Sequence, residues 1–254
     1  MTKSLSIIGV GAFGEFMLRH VTPYFDVHVY DEFRDLSGLA KTYNVTCCGL
    51  EMAATCDILV IAVPVRAIEG VVQRIVDHLR PGQLVMDVAS VKCLPAQILL
   101  EHLPQTVDIV GLHPLFGPQS GKTGIHGQNI AVVDIRSSSI DRLTSFLTER
   151  LGLNVISCTA DEHDEQMAYV QGLTHMIARV FQKMDMPTIS QETKTFSLLR
   201  QMVNIVKDDS DALFKAIQTD NPFVDTTKQK FFDAVTQLQN ELGKGHQLLD
   251  CQKR

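Results

Sequence analysis

Apolar residues in the first 160 positions come in short runs separated by amphipathic stretches. The runs predict buried strands at 5–10, 26–31, 57–63, 84–89, 108–113 and 129–134. The run at 57–63 is continuously apolar, which is typical of a central parallel strand buried on both faces. Helical patterns lie between the runs, at 12–22, 67–79 and 95–101. Because strands and helices alternate, we expect a parallel sheet with crossover helices.

The pattern changes near residue 160, and almost no strand signal follows. Three helices are predicted there, at 161–184, 191–219 and 225–250, with Pro187 and Pro222 near the breaks. A chain of 254 residues is long enough for two modest domains. We therefore predict an α/β domain at 1–160 and a smaller, all-helical domain at 161–254.

Composition narrows the function classes. The net charge of −6 gives no basic surface for nucleic acid. The six cysteines show neither CxxC spacing nor a paired histidine, so we expect no metal and interpret them as free thiols of a reducing cytosol. No run approaches the roughly 20 apolar residues of a membrane span, and no cleavage-site pattern indicates a signal peptide. The expected location is the cytoplasm.

The first helix is preceded by a glycine motif. Residues Gly9, Val10, Gly11, Ala12, Phe13 and Gly14 match G-x-G-x-x-G between a predicted strand and a predicted helix. In that context the motif predicts a Rossmann-type dinucleotide site, with the pyrophosphate at the helix N-terminus. The open alternative is a plain strand-to-helix turn.

Asp31 ends the second strand, 17 residues after Gly14. A carboxylate at this position accepts hydrogen bonds from the adenosine ribose and disfavours a 2′-phosphate, so NAD is the expected cofactor. Arg34 weakens that preference, and an ordinary turn residue is the alternative for Asp31. Val63 and Pro64 end the third strand and are added to the cofactor-binding set.

Two further segments begin at carboxyl ends of strands, where an open α/β sheet binds its ligands. They are Asp87-Val88-Ala89-Ser90-Val91-Lys92 and Gly111-Leu112-His113-Pro114-Leu115-Phe116-Gly117-Pro118-Gln119-Ser120-Gly121-Lys122. A histidine there is well suited to act as a general base near neutral pH. His113 is therefore the candidate base, with a structural histidine as the alternative.

These segments, together with His163-Asp164 and Gln171-Gly172-Leu173-Thr174-His175, resemble the prephenate and arogenate dehydrogenases of tyrosine biosynthesis. The similarity extends from about residue 5 to 184. It implies NAD-dependent oxidative decarboxylation, with His113 as the catalytic base and Ser90 bonded to the histidine and the substrate hydroxyl. Gln119, Ser120 and Gly121 are expected to form a loop over the substrate, with a plain turn as the alternative, and Lys122 and His175 are added to the substrate-binding set.

Several of these residues keep a structural alternative. Ser90 is also a preferred helix N-cap before Val91, and Lys92 and Lys122 are equally interpreted as solvated side chains. The helix after residue 160 carries Asp164, Ala168, Gln171, His175 and Arg179 on one face, which is usually a solvated strip. The resemblance favours a pocket-facing role for His175.

The resemblance fails at one position. Many members carry an arginine in the second domain that binds the substrate's side-chain carboxylate, and Asn204 occupies the matching place here. Arg200, one helical turn earlier, is the proposed substitute, and Arg179 is the second candidate. The substrate thus stays open between prephenate and arogenate, and a catalytically silent NAD-binding module is the alternative from another class.

The last predicted helix carries an apolar stripe. Phe231, Phe232, Val235, Leu238 and Leu242 fall on one side of it. In so short a domain, such a stripe predicts a partner surface, so we expect a homodimer through the helical domain. Packing on the domain's own helices is the alternative.

Overall fold

The structure is a computed structural model that describes residues 2–207 and 209–251, with side chains described as far as residue 243. The chain divides into two compact units, a first that ends at Asp164 and a second that begins at Glu165. This division lies four residues beyond the predicted boundary at 160. Each unit is described by itself below.

The first unit contains one eight-stranded sheet in the order β3-β2-β1-β4-β5-β6-β7-β8. Its strands are β1 Ser4–Ile8, β2 Asp26–Tyr30, β3 Thr46–Cys47, β4 Ile58–Ile61, β5 Leu84–Asp87, β6 Asp108–Pro114, β7 Asn129–Arg136 and β8 Asn154–Ser157. The order reverses direction at β1, next to β4, which makes this the switch point where such sheets bind ligands.

One strand departs from the expected parallel sheet. β7 pairs antiparallel with β6, whereas every other neighbouring pair is parallel. A parallel return needs a crossover of a dozen or more residues, usually a helix. The segment 115–128 forms turns and no helix, so the chain re-enters beside β6 in the opposite direction.

Helices cover both faces of the sheet. They are α1 Ala12–Val21, α2 Ser37–Tyr43, α3 Leu50–Ala54, α4 Ile68–Ile75, α5 Cys93–His102 and α6 Ile140–Ser145, the last continuing as a π-helical turn over Phe146–Arg150. Five short elements were not predicted, because an element of at most seven residues gives too little periodicity. They are α2, α3, α6, β3 and β8.

The core follows the strand alternation. Ile7 of β1 and Val110 of β6 belong to one buried cluster, while their neighbours Ile8 and Ile109 belong to a second. Since successive strand residues point to opposite faces, the two clusters are the two sides of one sheet. The sheet is buried on both faces, which explains its continuous apolar runs.

The second unit is helical. Its elements are α7 Ala160–Met167, a π-helical segment Ala168–Leu173, α8 Thr174–Lys183, α9 Lys194–Val206, α10 Asp211–Lys215 with a π-helical end Ala216–Asp220, and α11 Val224–Cys251. The predicted single helix at 191–219 was wrong, because it is interrupted before α10. Ser210 caps α10 by accepting a hydrogen bond from the Leu213 amide at 3.1 Å, and a helix must start anew at such a cap.

The apolar stripe on α11 is exposed in the described part of the chain. Phe232 is 50% exposed, Leu238 55% and Leu242 65%. These three side chains therefore do not pack on the domain's own helices, which was the alternative interpretation of the stripe. Among the described residues, no helix is long and apolar enough to cross a membrane.

Candidate active site

The glycine motif forms a tight turn between β1 and α1. Gly9 has φ +96°, and a Cβ there would lie 2.7 Å from Val63 Cγ1. A Cβ on Gly14 would overlap the carbonyl oxygen of Gly9, so both positions require glycine. Gly11 differs, because a Cβ there would have no neighbour within 4 Å.

The open position lies at the helix N-terminus. Gly11 is the N-cap of α1 and makes no side-chain cap, while Ala12 and Phe13 are the first helical residues. The first-turn amides of a helix lack intrahelical partners and carry partial positive charge. Space beside Gly11 and these amides together fit a pyrophosphate, which meets the requirement of a dinucleotide site.

Asp31 is held by the backbone around this turn. Its Oδ2 accepts from the Val10 amide at 2.7 Å, and its Oδ1 accepts from the amides of Phe33 and Arg34, both at 3.0 Å. The Arg34 guanidinium in turn donates to the Val10 carbonyl at 2.7 Å and to Glu15 at 2.6 Å. Asp31 therefore stabilises the glycine turn, in line with the turn-residue alternative, and its contact with a cofactor stays a prediction.

Val63 and Pro64 follow the end of β4 at the same edge of the sheet. Val63 is half-buried against Gly9, and Pro64 is exposed. The backbone beside them is tied to β1 through the Ala62 amide, which donates to the Ile8 carbonyl at 2.8 Å. The two residues thus line the turn; their contact with a cofactor stays a prediction.

A buried ion pair lies beneath the adjacent edge. Lys92 and Asp87 are both fully buried, and the ammonium donates to Asp87 Oδ1 and, at 2.8 Å, to the Leu112 carbonyl. The solvated alternative for Lys92 was wrong. Gly111 makes room for the pair, since a Cβ there would lie 3.1 Å from Lys92 Cδ. Burial raises the pKa of Asp87 and lowers that of Lys92, while the attraction between them opposes both shifts.

Asp164 connects α7 to the start of α5. Its Oδ1 accepts from the Lys92 amide at 2.7 Å and its Oδ2 from the Cys93 amide at 2.9 Å. These amides belong to the N-terminus of α5, where a carboxylate is favoured. The solvated-strip interpretation of Asp164 was wrong, because the residue is completely buried.

A capping box closes the start of α7. Thr159 and Glu162 exchange hydrogen bonds: the Thr159 amide donates to Glu162 Oε2 at 2.8 Å, and the Glu162 amide donates to Thr159 Oγ1 at 3.2 Å. The next residues, His163 and Asp164, are buried. The box thus fixes the first turn from which these two side chains extend.

His113, His163 and Asp164 form a hydrogen-bonded chain. His163 Nδ1 lies 2.7 Å from Asp164 Oδ1, and His163 Nε2 lies 2.8 Å from His113 Nδ1. The two imidazole rings are tilted by 67°. Burial tends to raise the pKa of Asp164, but hydrogen bonds from His163 and from the Cys93 and Lys92 amides outweigh it and lower that pKa.

His113 itself is kept neutral. Burial lowers its pKa well below the usual 6.5, and the nearby Lys92 ammonium acts in the same direction. A neutral imidazole at the carboxyl end of β6 is able to take up a proton, which is what a base requires.

Ser90 is half-buried in the loop between β5 and α5. It is not the N-cap of that helix, because α5 begins at Cys93 with Lys92 as its N-cap. Asp164 performs the capping that the sequence attributed to Ser90. Within the described residues Ser90 forms no side-chain hydrogen bond with His113, so its substrate role stays a prediction.

The segment after β6 turns back on α1. A Cβ on Gly121 would lie 2.7 Å from Phe16 Cζ, so the glycine allows close packing on the helix that follows the glycine motif. Ser120 Oγ accepts from the Gly117 amide at 2.9 Å and closes the turn. Lys122 is exposed. The loop is thus close to the nucleotide turn, and its contacts with a substrate remain predictions.

The remaining predicted residues belong to the second unit. His175 is buried, with Nδ1 3.8 Å from Asp209 Oδ2. Burial and then the nearby Arg179 lower its pKa. Arg179 donates to Asp211 at 3.0 Å and stacks 4.6 Å over the Phe214 ring. Arg200 is exposed and bonded to Glu192 at 2.8 Å, and Asn204 is exposed on the same helix.

Two family models match the chain, one for each unit. The first, for the nucleotide-binding domain of prephenate dehydrogenase, matches residues 18–130, and the second, for its dimerization domain, matches residues 159–248. The chain belongs to the prephenate dehydrogenase family. The predicted family and fold class are thereby confirmed. The first match begins after the glycine motif. The interpretation of the turn at residues 9–14 as a nucleotide site is therefore supported by its geometry and not by this match.

Two relatives of this chain are named for arogenate alone and for arogenate or prephenate. Arogenate dehydrogenase 1 from Arabidopsis thaliana is 26% identical over 94% of this chain and 39% of its own length. A probable arogenate/prephenate dehydrogenase from Methanocaldococcus jannaschii is 32% identical over 50% of this chain and 28% of its own length. The chain therefore spans well under two thirds of these relatives.

Two solved structures share the fold of the family member. Prephenate dehydrogenase from A. aeolicus, in complex with hydroxyphenyl propionate and NAD+, superimposes with a TM-score of 0.77 at 16% identity, covering 97% of this chain and 93% of that one. Synechocystis arogenate dehydrogenase gives 0.70 at 18% identity, covering 97% and 96%. At these identities the likeness shows the fold alone.

The glycine turn generates a matched pair of variants. Gly14→Ala places a methyl group on the Gly9 carbonyl and should destabilise the protein by about 1–3 kcal/mol, the usual cost of overpacking. Gly11→Ala meets no atom within 4 Å, so its cost should stay below about 1 kcal/mol, the N-cap preference for glycine over alanine. Urea unfolding measures both. Equal losses of stability in the two variants would contradict the described turn.

Proposed function

We propose that this protein is a prephenate dehydrogenase, which uses NAD to convert prephenate oxidatively to 4-hydroxyphenylpyruvate and carbon dioxide in tyrosine biosynthesis. The observation that carries the proposal is the neutral, buried His113 at the carboxyl end of β6, in hydrogen-bonded contact with His163. The proposal extends the family assignment to a specific substrate and reaction.

The proposed cofactor site is the turn after β1. The space at Gly11 and the first-turn amides of Ala12 and Phe13 would hold the pyrophosphate. Asp31 would favour NAD over NADP at the end of β2, although Arg34 lies beside it. The NAD+ complex of the A. aeolicus relative supports this choice. Bound NAD would supply the hydride acceptor for the hydrogen on the carbinol carbon.

The chain's own contribution is a proton acceptor. As the carbinol carbon is oxidised to a ketone, its hydroxyl proton passes to His113. The bond to the ring carboxylate then breaks, carbon dioxide leaves, and the electron pair completes the aromatic ring. The resulting phenolate takes back a proton. Aromatisation favours the decarboxylation. The protein therefore needs to supply a base and a positioned group that binds a carboxylate of the substrate.

Arogenate is the second candidate substrate. It differs from prephenate in its side chain, and Asn204 lies where many family members carry an arginine for the side-chain carboxylate. The Arabidopsis relative is named for arogenate. Steady NADH formation with prephenate, with arogenate and with simple hydroxyacids separates the two substrates. Activity with none of them would favour the silent NAD-binding module.

The proposed setting is a homodimer in the cytoplasm. The family model of the second unit describes a dimerization domain, and the stripe of Phe232, Leu238 and Leu242 is exposed on α11. A second copy of the chain is the partner that would cover it.

The base makes a direct prediction. His113→Asn should lower turnover by at least about 10²-fold, the usual contribution of a general base. NAD affinity should remain near the wild-type value, because the glycine turn is untouched. Stopped-flow or steady-state NADH formation measures turnover, and fluorescence titration measures NAD binding. Turnover close to wild type would reject the role of His113.

Carboxylate recognition makes a second prediction. Arg200→Ala should raise the KM for the preferred substrate by roughly tenfold, which corresponds to the lower end of the free energy of a charged hydrogen bond. The lower end is expected because Arg200 must give up its hydrogen bond to Glu192 when it binds the substrate. Arg179→Ala is the matched comparison on α8, close to His175. If only the Arg179 variant raises the KM, the carboxylate partner lies on α8 and Arg200 is excluded.

Assembly makes a third prediction. Light scattering at micromolar concentration should give the mass of a dimer. Replacing Leu238 and Leu242 by glutamate should shift that mass toward the monomer, since each charge would be buried without a partner. The exposed Leu100 of α5, changed to glutamate, is the control. A strictly monomeric wild type would contradict the assignment.

A further inference from the structure

The hydrogen-bonded chain of His113, His163 and Asp164 contains two groups that have no role in the proposed reaction so far, His163 and Asp164. We propose that they are positioning residues: the Asp164 carboxylate and His163 hold His113 in the tautomer whose basic nitrogen is Nε2. This inference rests on the proposed function of His113 as the base. It assigns to His163 and Asp164 the task of deciding which nitrogen takes the substrate proton.

The donor and acceptor roles in this hydrogen-bonded series are set at Asp164. Hydrogen bonds from His163 and from the Lys92 and Cys93 amides lower the pKa of Asp164 despite its burial, so this group is a carboxylate at neutral pH. A carboxylate only accepts hydrogen bonds. Across the 2.7 Å contact, His163 Nδ1 must therefore carry the proton and donate it to Asp164 Oδ1.

The next contact follows from the first. In the proposed arrangement His163 is a neutral imidazole, which has one N–H donor and one acceptor nitrogen. With its proton on Nδ1, His163 presents Nε2 as an acceptor. The 2.8 Å contact to His113 then requires His113 Nδ1 to be the donor. Neutral His113 has its single proton on Nδ1, and its lone pair is on Nε2.

The burial of all three side chains gives the arrangement its strength. His113 is 3% exposed, His163 2% and Asp164 0%. In such surroundings an unmade hydrogen bond costs the full desolvation of the group, so the alternative tautomer of His113 is disfavoured. Asp164 is itself fixed by the two amides of α5, which prevents the chain from reversing.

The same chain serves the reaction. When the substrate hydroxyl gives its proton to His113 Nε2, the ring becomes an imidazolium whose Nδ1–H still points to His163. The positive charge lies one imidazole away from the Asp164 carboxylate, which stabilises it electrostatically. No proton needs to leave His113 toward His163 for this effect.

The test combines a spectroscopic signature with a matched pair of variants. The full-length protein, labelled with 15N-histidine and saturated with NAD, is examined by long-range 1H–15N correlation at neutral pH. Spectra of His113→Asn and His163→Leu assign the two rings, and His102→Gln is the control, because His102 lies at the opposite end of α5 from Lys92 and contacts Glu69. We expect protonated Nδ1 and unprotonated Nε2 in His113.

The kinetic arm uses His163→Leu and His163→Gln. Leucine keeps most of the volume and removes the acceptor, whereas the glutamine oxygen is able to accept from His113 Nδ1. His163→Leu should lower kcat by about 10- to 100-fold, a substantial part of a general base's contribution, with KM and NAD affinity little changed. His163→Gln should restore kcat to within about tenfold of the wild type.

Three results would overturn the inference. They are a wild-type His113 protonated on Nε2, a His163 protonated on both nitrogens, and equal losses of kcat in the leucine and glutamine variants. If His163→Leu fails to fold, the wild-type spectrum still decides. If the spectrum shows the expected tautomer but neither prephenate nor arogenate is oxidised, the proposed function fails while the histidine assignment stands.

Discussion

The Asp164 carboxylate is the interaction on which the rest of the site depends. It is completely buried, and it is bonded to the first amides of α5 and to His163. Buried charge is tolerated only where hydrogen bonds replace the lost water. Asp164 meets that condition with backbone amides at a helix N-terminus, where negative charge is favoured. Through this one group, the start of α5 and the beginning of α7 are fixed relative to His113.

The other buried pair, Lys92 with Asp87, supports the same edge of the sheet from below. Its ammonium bonds the carbonyl of Leu112, the residue that precedes His113 in β6. The charge also contributes to the low pKa of His113. A buried ion pair of this kind is weak support for stability in general. Here it fixes the backbone next to His113 and helps to keep that imidazole neutral.

Local patterns predicted most of the first unit. The strands that precede Gly9 and Asp31 and the strand that carries His113 were predicted, because each is a short apolar run next to a recognisable turn. The antiparallel β7 was missed, since strand direction depends on the connection and not on the strand's own residues. The break before α10 was missed because it depends on the Ser210 cap, which helical periodicity does not report.

Only part of the buried polar cluster of His113, His163, Asp164 and Lys92 could be predicted from the sequence. His113 was identified from its place at a strand end, but the Lys92 and Asp164 partners are 72 residues apart in the chain, and His113 and His163 are 50 apart. Helical periodicity assigned Asp164 to a solvated face, because a single sequence does not report which helix face is covered. The available signals were the T-x-x-E capping box at Thr159, just before His163, and an acidic residue at the end of the buried strand β5.

We infer that a buried, neutral His113 accepts the substrate's proton, and the pH dependence of kcat/KM tests this role most directly. That ratio reports the ionisation of the form that meets the substrate. Because the pKa of His113 is lowered, the neutral form persists below pH 6.5. Activity at saturating NAD should therefore fall only on an acid limb whose midpoint lies below 6.5. A midpoint at or above 6.5, the value of an unperturbed histidine, would contradict the account.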